Sequence, residues 1–278
     1  MSTAALSPST RERALKYGLY GTAALTMVFL WTPLLVMGVL SFAENASTIF
    51  PFQGFTLANY TATLADDGLL RSVSVSVQIA TISAVIATVL GVLAAFGLAR
   101  FDFPFKEGYR TFAILPMVIP GIVLGIALLI FFRTVVGLGT SYLTVILTHS
   151  VYGLPFVLLP VTARLYSFDR SLEEAARDLG SDRLETFREV TLPIIAPSVA
   201  AGFLFAWIRS FEDFIRVYFV KGSFDVLTTA MFSMIKYGSA PKMNAISTLI
   251  VFAIAVVLAV AMNAGNVSGY VAGNEDDE

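Results

Sequence analysis

The chain has 278 residues, of which 56% are hydrophobic and 14% charged, with a formal net charge of -2 and no cysteine. A soluble domain has about 45–50% apolar and about 25% charged residues, so this composition is that of a protein embedded in lipid. It excludes a basic nucleic-acid footprint and disulfides or thiolate metal sites, and the one histidine, His149, supplies no histidine cluster.

A hydrocarbon core about 30 Å thick requires about 20 apolar residues at a rise of about 1.5 Å each. Six runs meet or nearly meet that length: Tyr20–Phe42, Val73–Leu98, Phe112–Phe132, Tyr142–Ala163, Pro197–Phe219 and Met243–Met262. They predict an all-α integral membrane protein with a cytoplasmic segment at 1–19, a six-span domain at 20–262 and an acidic cytoplasmic tail at 263–278. Arg11, Arg13 and Lys16 before the first run resemble the basic region of a signal peptide. The run is long and more spans follow, so it reads as a retained helix; a cleaved signal would leave five spans.

With the N-terminus inside, Arg11, Arg13, Lys16, Arg100, Lys106, Arg110, Arg164, Arg170, Arg177, Arg183 and Arg188 are cytoplasmic, and Arg71, Arg133, Lys221, Lys236 and Lys242 are external. The positive-inside rule then puts both termini of a multi-pass cell-membrane protein in the cytoplasm. Between the first two runs, Ala43–Ser72 carries Pro51, Gly54 and an aromatic patch of Phe52, Phe55 and Tyr60. It reads either as an amphipathic stretch on the membrane surface or as a covering loop.

In the second run, Ala87, Gly91, Ala94 and Ala95 share a helical face suited to close contact with a neighbouring helix. Pro116 and Pro120-Gly121 interrupt the third run, and Pro155 and Pro160 the fourth. Kinks are expected there, for a gated pathway or for the packing of bent helices. His149, beside the apolar run from Tyr142, reads as packed or interfacial rather than catalytic.

The cytoplasmic loop 164–196 is far more charged than the rest of the chain. Ser171 with Glu174 forms a capping-box pattern ahead of the apolar stripe Leu172, Ala175, Ala176 and Leu179, and Gly180 ends that helix. Asp182 with Glu185 caps a second helix bearing Leu184, Phe187 and Val190, which Pro193 and Pro197 separate from the next span. Two short helices with apolar and charged faces fit either a docking element for a partner groove or a loop packed on its own helix ends.

In the fifth run Arg209, Glu212, Asp213 and Arg216 recur at three- and four-residue spacings, so one helical face would carry all four. Charges this deep are expensive in lipid, about 2.5–3.5 kcal/mol for an arginine or aspartate near the centre. The stripe is expected to face protein or water, as a static salt-bridged seam or as a site where Glu212 or Asp213 steers or gates a cationic solute. The tail ends in Glu275-Asp276-Asp277-Glu278, a solvated run of like charges.

Glu174-Ala175-Ala176, then Gly180, then Val190 after nine residues, then Leu192-Pro193 resembles the EAA signature of ABC importer permeases, with valine in place of the usual isoleucine. The resemblance narrows to the spermidine/putrescine type through Ser41-Phe42, Gly54-Phe55-Thr56 with Tyr60, and Arg100-Phe101-Asp102-Phe103. Further segments are Glu174–Gly202, Ser210-Phe211-Glu212-Asp213 (two aspartates are usual at its end) and Asn244-Ala245. It implies six transmembrane helices with a MetI-like ABC permease core and a cytoplasmic coupling-helix loop. The implied partners are a distinct second permease, two cytoplasmic ATP-binding subunits and an extracytoplasmic solute-binding protein. Coupling to the ATPase would fall to Glu174, Ala175, Ala176, Leu179, Gly180, Leu184, Phe187, Leu192 and Pro193.

This chain has no glycine-rich phosphate loop. It is therefore expected to hold no cofactor and to be no enzyme, with ATP and magnesium bound by the partner ATPase. The same kind of importer for thiamine, an opine or amino acid derivative, or an iron chelate is the alternative reading. Of the other classes, a membrane enzyme lacks an evident nucleophile–base pair, and an ion-coupled secondary transporter calls for an internal repeat that the sequence does not display.

Overall fold

A computed structural model describes residues 8–44, 54–238 and 240–264, and the regular elements among them are all helical. Pro51 and Phe52 of the aromatic patch, the first seven residues and the acidic tail from 265 onward lie outside the described residues. Four helices are long and apolar enough to cross a membrane: α1 (Pro8–Leu40), α3 (Asp67–Arg100), α6 (Tyr142–Ser167) and the continuous helix Arg183–Phe211. A bent pair, α4 (Lys106–Val118) and α5 (Gly121–Phe131), makes a fifth if it counts as one span.

The described residues form two units. The first combines α1 with α2 (Ala58–Leu64) and the C-terminal helix Ala240–Ala264. No residue in the apolar window of α1 is buried, the state of a helix meant for lipid or another subunit. At its end Asn59 Nδ2 donates to the carbonyls of Ser41 and Ala43, each at 3.0 Å, and Phe42 packs against Phe55 and Tyr60, both with centroids 5.0 Å away. The described part of the aromatic patch is thus a folded cover on the end of α1, held by α2.

The second unit, Gly68–Phe232, is built on α3, α6 and the helix ending at Phe211. The small face read in the second run is buried here: Ala84, Ala87, Ala94, Ala95 and Leu98 of α3 meet Val157, Leu158, Val161 and Leu165 of α6, with Ile195 and Ala206 behind them. A second cluster, Ile79, Val145, Ile146, Val217, Val220 and Val226, fills the other end. Hydrophobicity gives no preference for protein over lipid, so close backbone approach is what holds such helices together.

Of the proline expectations, the interruption at Pro120-Gly121 holds, and those at Pro116, at Pro155 and Pro160, and at Pro193 and Pro197 are corrected. The third span does break, by 109°, but at Pro120, where Ile119 and Pro120 are both extended; a proline pushes the residue before it out of the helical region. Pro116 remains inside α4, and α6 runs unbroken through Pro155 and Pro160. Pro193 and Pro197 do not separate the loop from the fifth span. Arg183–Thr186 (α8) passes through a π-helical turn, Phe187–Thr191, into α9 (Leu192–Phe211) without a break. Pro193 follows the widened turn at the start of α9, where a missing backbone donor is tolerated.

A Cβ added to Gly202 would lie 2.9 Å from the Val157 Cα, and one on Gly91 2.7 Å from the Val157 Cβ, whereas Gly97 has nothing within 4 Å. Gly202→Ala is expected to destabilise the protein by about 1–3 kcal/mol through overpacking. Gly97→Ala should be neutral or stabilising by up to about 1 kcal/mol. Thermal unfolding of the purified variants in detergent checks both.

Candidate functional site: a buried charge cluster and a loop at the helix ends

The four charges of the fifth run do not share one helix face, because α9 ends at Phe211 and the chain resumes as α10 only at Ile215–Val220. The break divides them into two pairs. Arg209 and Glu212 form an ion pair with side chains 41% and 50% exposed. Arg209 Nε also donates to the Tyr152 hydroxyl at 3.0 Å, and its guanidinium lies 5.5 Å and 5.8 Å from the ring centres of Tyr152 and Phe156. Asp213 and Arg216 pair at 3.1 Å with side chains 5% and 9% exposed.

The buried pair is surrounded by groups from other helices. His149 Nε2 of α6 lies 3.3 Å from Asp213 Oδ2, and its Nδ1 is 2.6 Å from Ser210 Oγ. The Arg216 guanidinium stacks 3.5 Å from the centre of the Tyr152 ring, a close cation–π contact. On its other side is Gly121, where an added Cβ would come within 3.4 Å of Arg216 Cζ. His149 is thus packed, as the sequence indicates, bonded to Ser210 and lying beside Asp213.

Ser210, His149 and Asp213 also supply the serine–histidine contact that the sequence does not reveal. Its order is that of a nucleophilic triad, yet Ser210 is 5% exposed and Asp213 is already neutralised by Arg216. The arrangement neutralises a buried carboxylate through Arg216 and brings α6, α9 and α10 together, while Asp213 Oδ2 and His149 Nε2 make no hydrogen bond; it offers no open reaction site. Of the two acids, Glu212 faces outward, while Asp213 is enclosed by His149 and Arg216.

The loop after α6 is α7 (Ser171–Asp178), a turn, and α8. Ser171 is not the cap of α7. The helix starts from Arg170 without a side-chain cap, and the Ser171 N–H instead donates to Asp169 Oδ1 at 3.0 Å, which holds that carboxyl below its ordinary range. Gly180, at φ +100, closes α7: its N–H reaches the Arg177 carbonyl at 2.9 Å and the Ser181 N–H the Ala176 carbonyl at 3.1 Å. Asp182 caps α8 as expected, accepting from the N–H groups of Leu184 and Glu185 at 2.7 and 2.8 Å while Glu185 accepts from the Asp182 N–H.

The apolar stripe faces out. Leu172, Leu179 and Leu184 are 49%, 89% and 64% exposed, Glu174, Ala175, Leu192 and Pro193 are exposed as well, and Ala176 is half-buried. Phe187 turns inward against Phe96, with centroids 5.3 Å apart. One inward residue was not legible beforehand: Glu173 accepts from Arg100 Nη2 at 2.8 Å and from Thr191 Oγ1 at 2.7 Å.

Residues 87–268 match the family described as binding-protein-dependent transport system inner membrane component. The spermidine/putrescine transport system permease protein PotC of Escherichia coli (strain K12) is 34% identical over 83% of this chain and 88% of its own. The putrescine transport system permease protein PotI of the same strain is 33% identical over 84% and 85%. In fold, a solved bacterial ABC transporter involved in import of the acidic polysaccharide alginate aligns over 94% of this chain and 99% of its own, with a TM-score of 0.73 at 15% identity.

Removing one partner from a buried ion pair costs about 3–5 kcal/mol, because the other charge is stranded, whereas an exposed pair contributes about 0–1 kcal/mol. Asp213→Ala is therefore expected to lower the unfolding midpoint in detergent sharply, and Glu212→Gln hardly at all. Equal losses would contradict the division of the cluster into a structural and an exposed pair.

Proposed function

The chain belongs to the family of binding-protein-dependent transport system inner membrane components, and on that premise we propose that it forms half of the pathway of an ATP-driven importer of spermidine or putrescine. It is a permease subunit of an ABC transporter, and it is not itself an enzyme. The observation that carries the docking part of the proposal is the outward face of α7 and α8. Leu172, Leu179 and Leu184 are exposed on short helices rimmed by Glu174, Arg177 and Arg183, the form of an amphipathic helix made for a partner's groove.

The remaining parts follow from that role. With the C-terminal helix counted beside the four long helices and the bent pair, the reading has six spans and puts both termini and the loop in the cytoplasm, in keeping with the basic residues of the sequence. The coupling set Glu174, Ala175, Ala176, Leu179, Gly180, Leu184, Phe187, Leu192 and Pro193 meets one of two PotA-like ATPase subunits, which bind ATP and magnesium. A PotB-like permease completes the pathway, and a PotD-like binding protein delivers the solute from outside. ATPase closure moves α7, and the spans follow between inward- and outward-open states.

The polyamine assignment rests on the similarity to PotC and PotI, permeases of spermidine/putrescine and putrescine transport systems. The exposed Glu212, beside the rings of Tyr152 and Phe156, supplies the chemistry an ammonium group would use. One observation favours a different small solute carried by the same kind of importer: each acid of the cluster is already paired with an arginine.

Uptake of radiolabelled putrescine and spermidine into vesicles holding the whole system, with sugars, amino acids, thiamine and iron chelates as competitors, separates these readings. ATP-dependent polyamine uptake that disappears when this subunit is omitted is the expected result; uptake of another solute instead would overturn the substrate and retain the permease. Leu179→Asp should weaken retention of the ATPase on affinity-purified permease by about ten-fold or more, as for a central interface residue. Normal retention and normal uptake in that variant would refute the docking face.

A further inference from the structure

Glu173 and Glu174 are neighbours that point in opposite directions, Glu174 to solvent and Glu173 into the protein. The inward carboxylate sits where several helix ends meet. Its Oε1 accepts from Arg100 at the end of α3 and from Thr191 at the junction into α9, and the Arg100 and Glu173 side chains are each 12% exposed. Beside it Arg170 Nη2 donates to the Ala99 carbonyl at 2.9 Å, and the Arg100 guanidinium lies 5.4 Å from the centre of the Phe168 ring.

We propose that Glu173 and Arg100 are positioning residues for transport, forming the joint through which movement of α7 reaches α3 and α9. This rests on the docking reading above and adds to it the inward half of the transmission. No residue of α7 is buried, so the helix has no side chain sunk in an apolar core through which to push or pull the spans. A partly desolvated ion pair is then its firmest side-chain attachment, stronger than the same pair in open water.

The geometry is that of a pivot. Both bonds end on one oxygen, Oε1, and the Nε and Nη1 groups of Arg100 are buried without an acceptor. A two-armed arginine–carboxylate pair fixes angle as well as distance. A pair joined at one oxygen resists separation and leaves rotation free. Such a joint lets a helix carried by an ATPase tilt against the spans without detaching from them.

The test uses the full importer, with Arg100→Ala, Glu173→Ala and the exchanged pair Arg100→Glu/Glu173→Arg. ATPase retention and polyamine transported per ATP hydrolysed are measured for each. The single variants are expected to retain the ATPase within about two-fold while transport per ATP falls about ten-fold or more, and the exchanged pair to recover most of that loss, as coupled neighbours do. Normal stoichiometry in the single variants, loss only in parallel with ATPase retention, or no recovery in the exchanged pair would each overturn the joint. Failure of the docking reading looks different: Leu179→Asp would then keep the ATPase.

A second measurement does not depend on the solute. The chain has no cysteine, so spin labels at the exposed Phe101→Cys and Ser171→Cys, one and two residues from the joint and off the docking face, report the separation of α3 and α7 at the joint directly. With Glu173 present, the separation should be the same without nucleotide and in the vanadate-trapped state, and with Glu173→Ala it should diverge. An unchanged separation in Glu173→Ala would also overturn the joint.

Discussion

A carboxylate held away from water must find its counter-charge and donors within the protein, and Asp213 organises one end of the larger unit around that requirement. Leaving it unpaired would cost more than many apolar contacts return. Arg216 supplies the charge from the next turn of chain, His149 approaches from α6, and Ser210 holds the far ring nitrogen. Arg216 in turn needs a surface, which the Tyr152 ring gives on one side and the absent side chain of Gly121 on the other. One buried acid thereby sets the mutual placement of α5, α6, α9 and α10.

The loop after α6 is governed by the opposite condition. Water satisfies most of its charges, so its order comes from a few local bonds: Gly180 in the left-handed region, the reciprocal Asp182–Glu185 cap, and the inward Glu173 held by Arg100 and Thr191. The outcome is a firm scaffold presenting leucines outward. An exposed leucine on an isolated helix gains nothing from its position, and burying it against a partner removes its apolar surface from water at about 25 cal/mol per Å². Order without burial is what a docking surface needs before its partner arrives.

Much of this was legible in the chain because it is local. Apolar length placed the start of α6 at Tyr142, the small face of α3 announced its tight contact, and Gly180 and Asp182–Glu185 stood out as helix punctuation. What misled were residues whose effect depends on their neighbours. Pro193 reads as a breaker by composition and is harmless at the start of α9, and the Arg209–Arg216 stripe assumes a helix that ends at Phe211. His149 and Glu173 were opaque for a different reason: their partners lie 61 and 73 residues away, and spacing along the chain says nothing of contacts across it.

On the proposed reading, in which the pathway runs past this cluster, the division of the charges bears on how it would select. Each acid of the cluster has its own arginine, so the pairs cancel and project no strong field toward an arriving cation. Attraction at a distance is weak under those conditions, and discrimination has to occur at contact, by exchange of partners. Only the outer pair is open to that: Arg209 already occupies the place an ammonium group would take, between Glu212 and the rings of Tyr152 and Phe156. A solute that displaces it gains little net energy, because one cation replaces another on the same groups. Weak, exchangeable binding favours passage over capture, and on the proposed reading it would leave high-affinity recognition to a solute-binding partner.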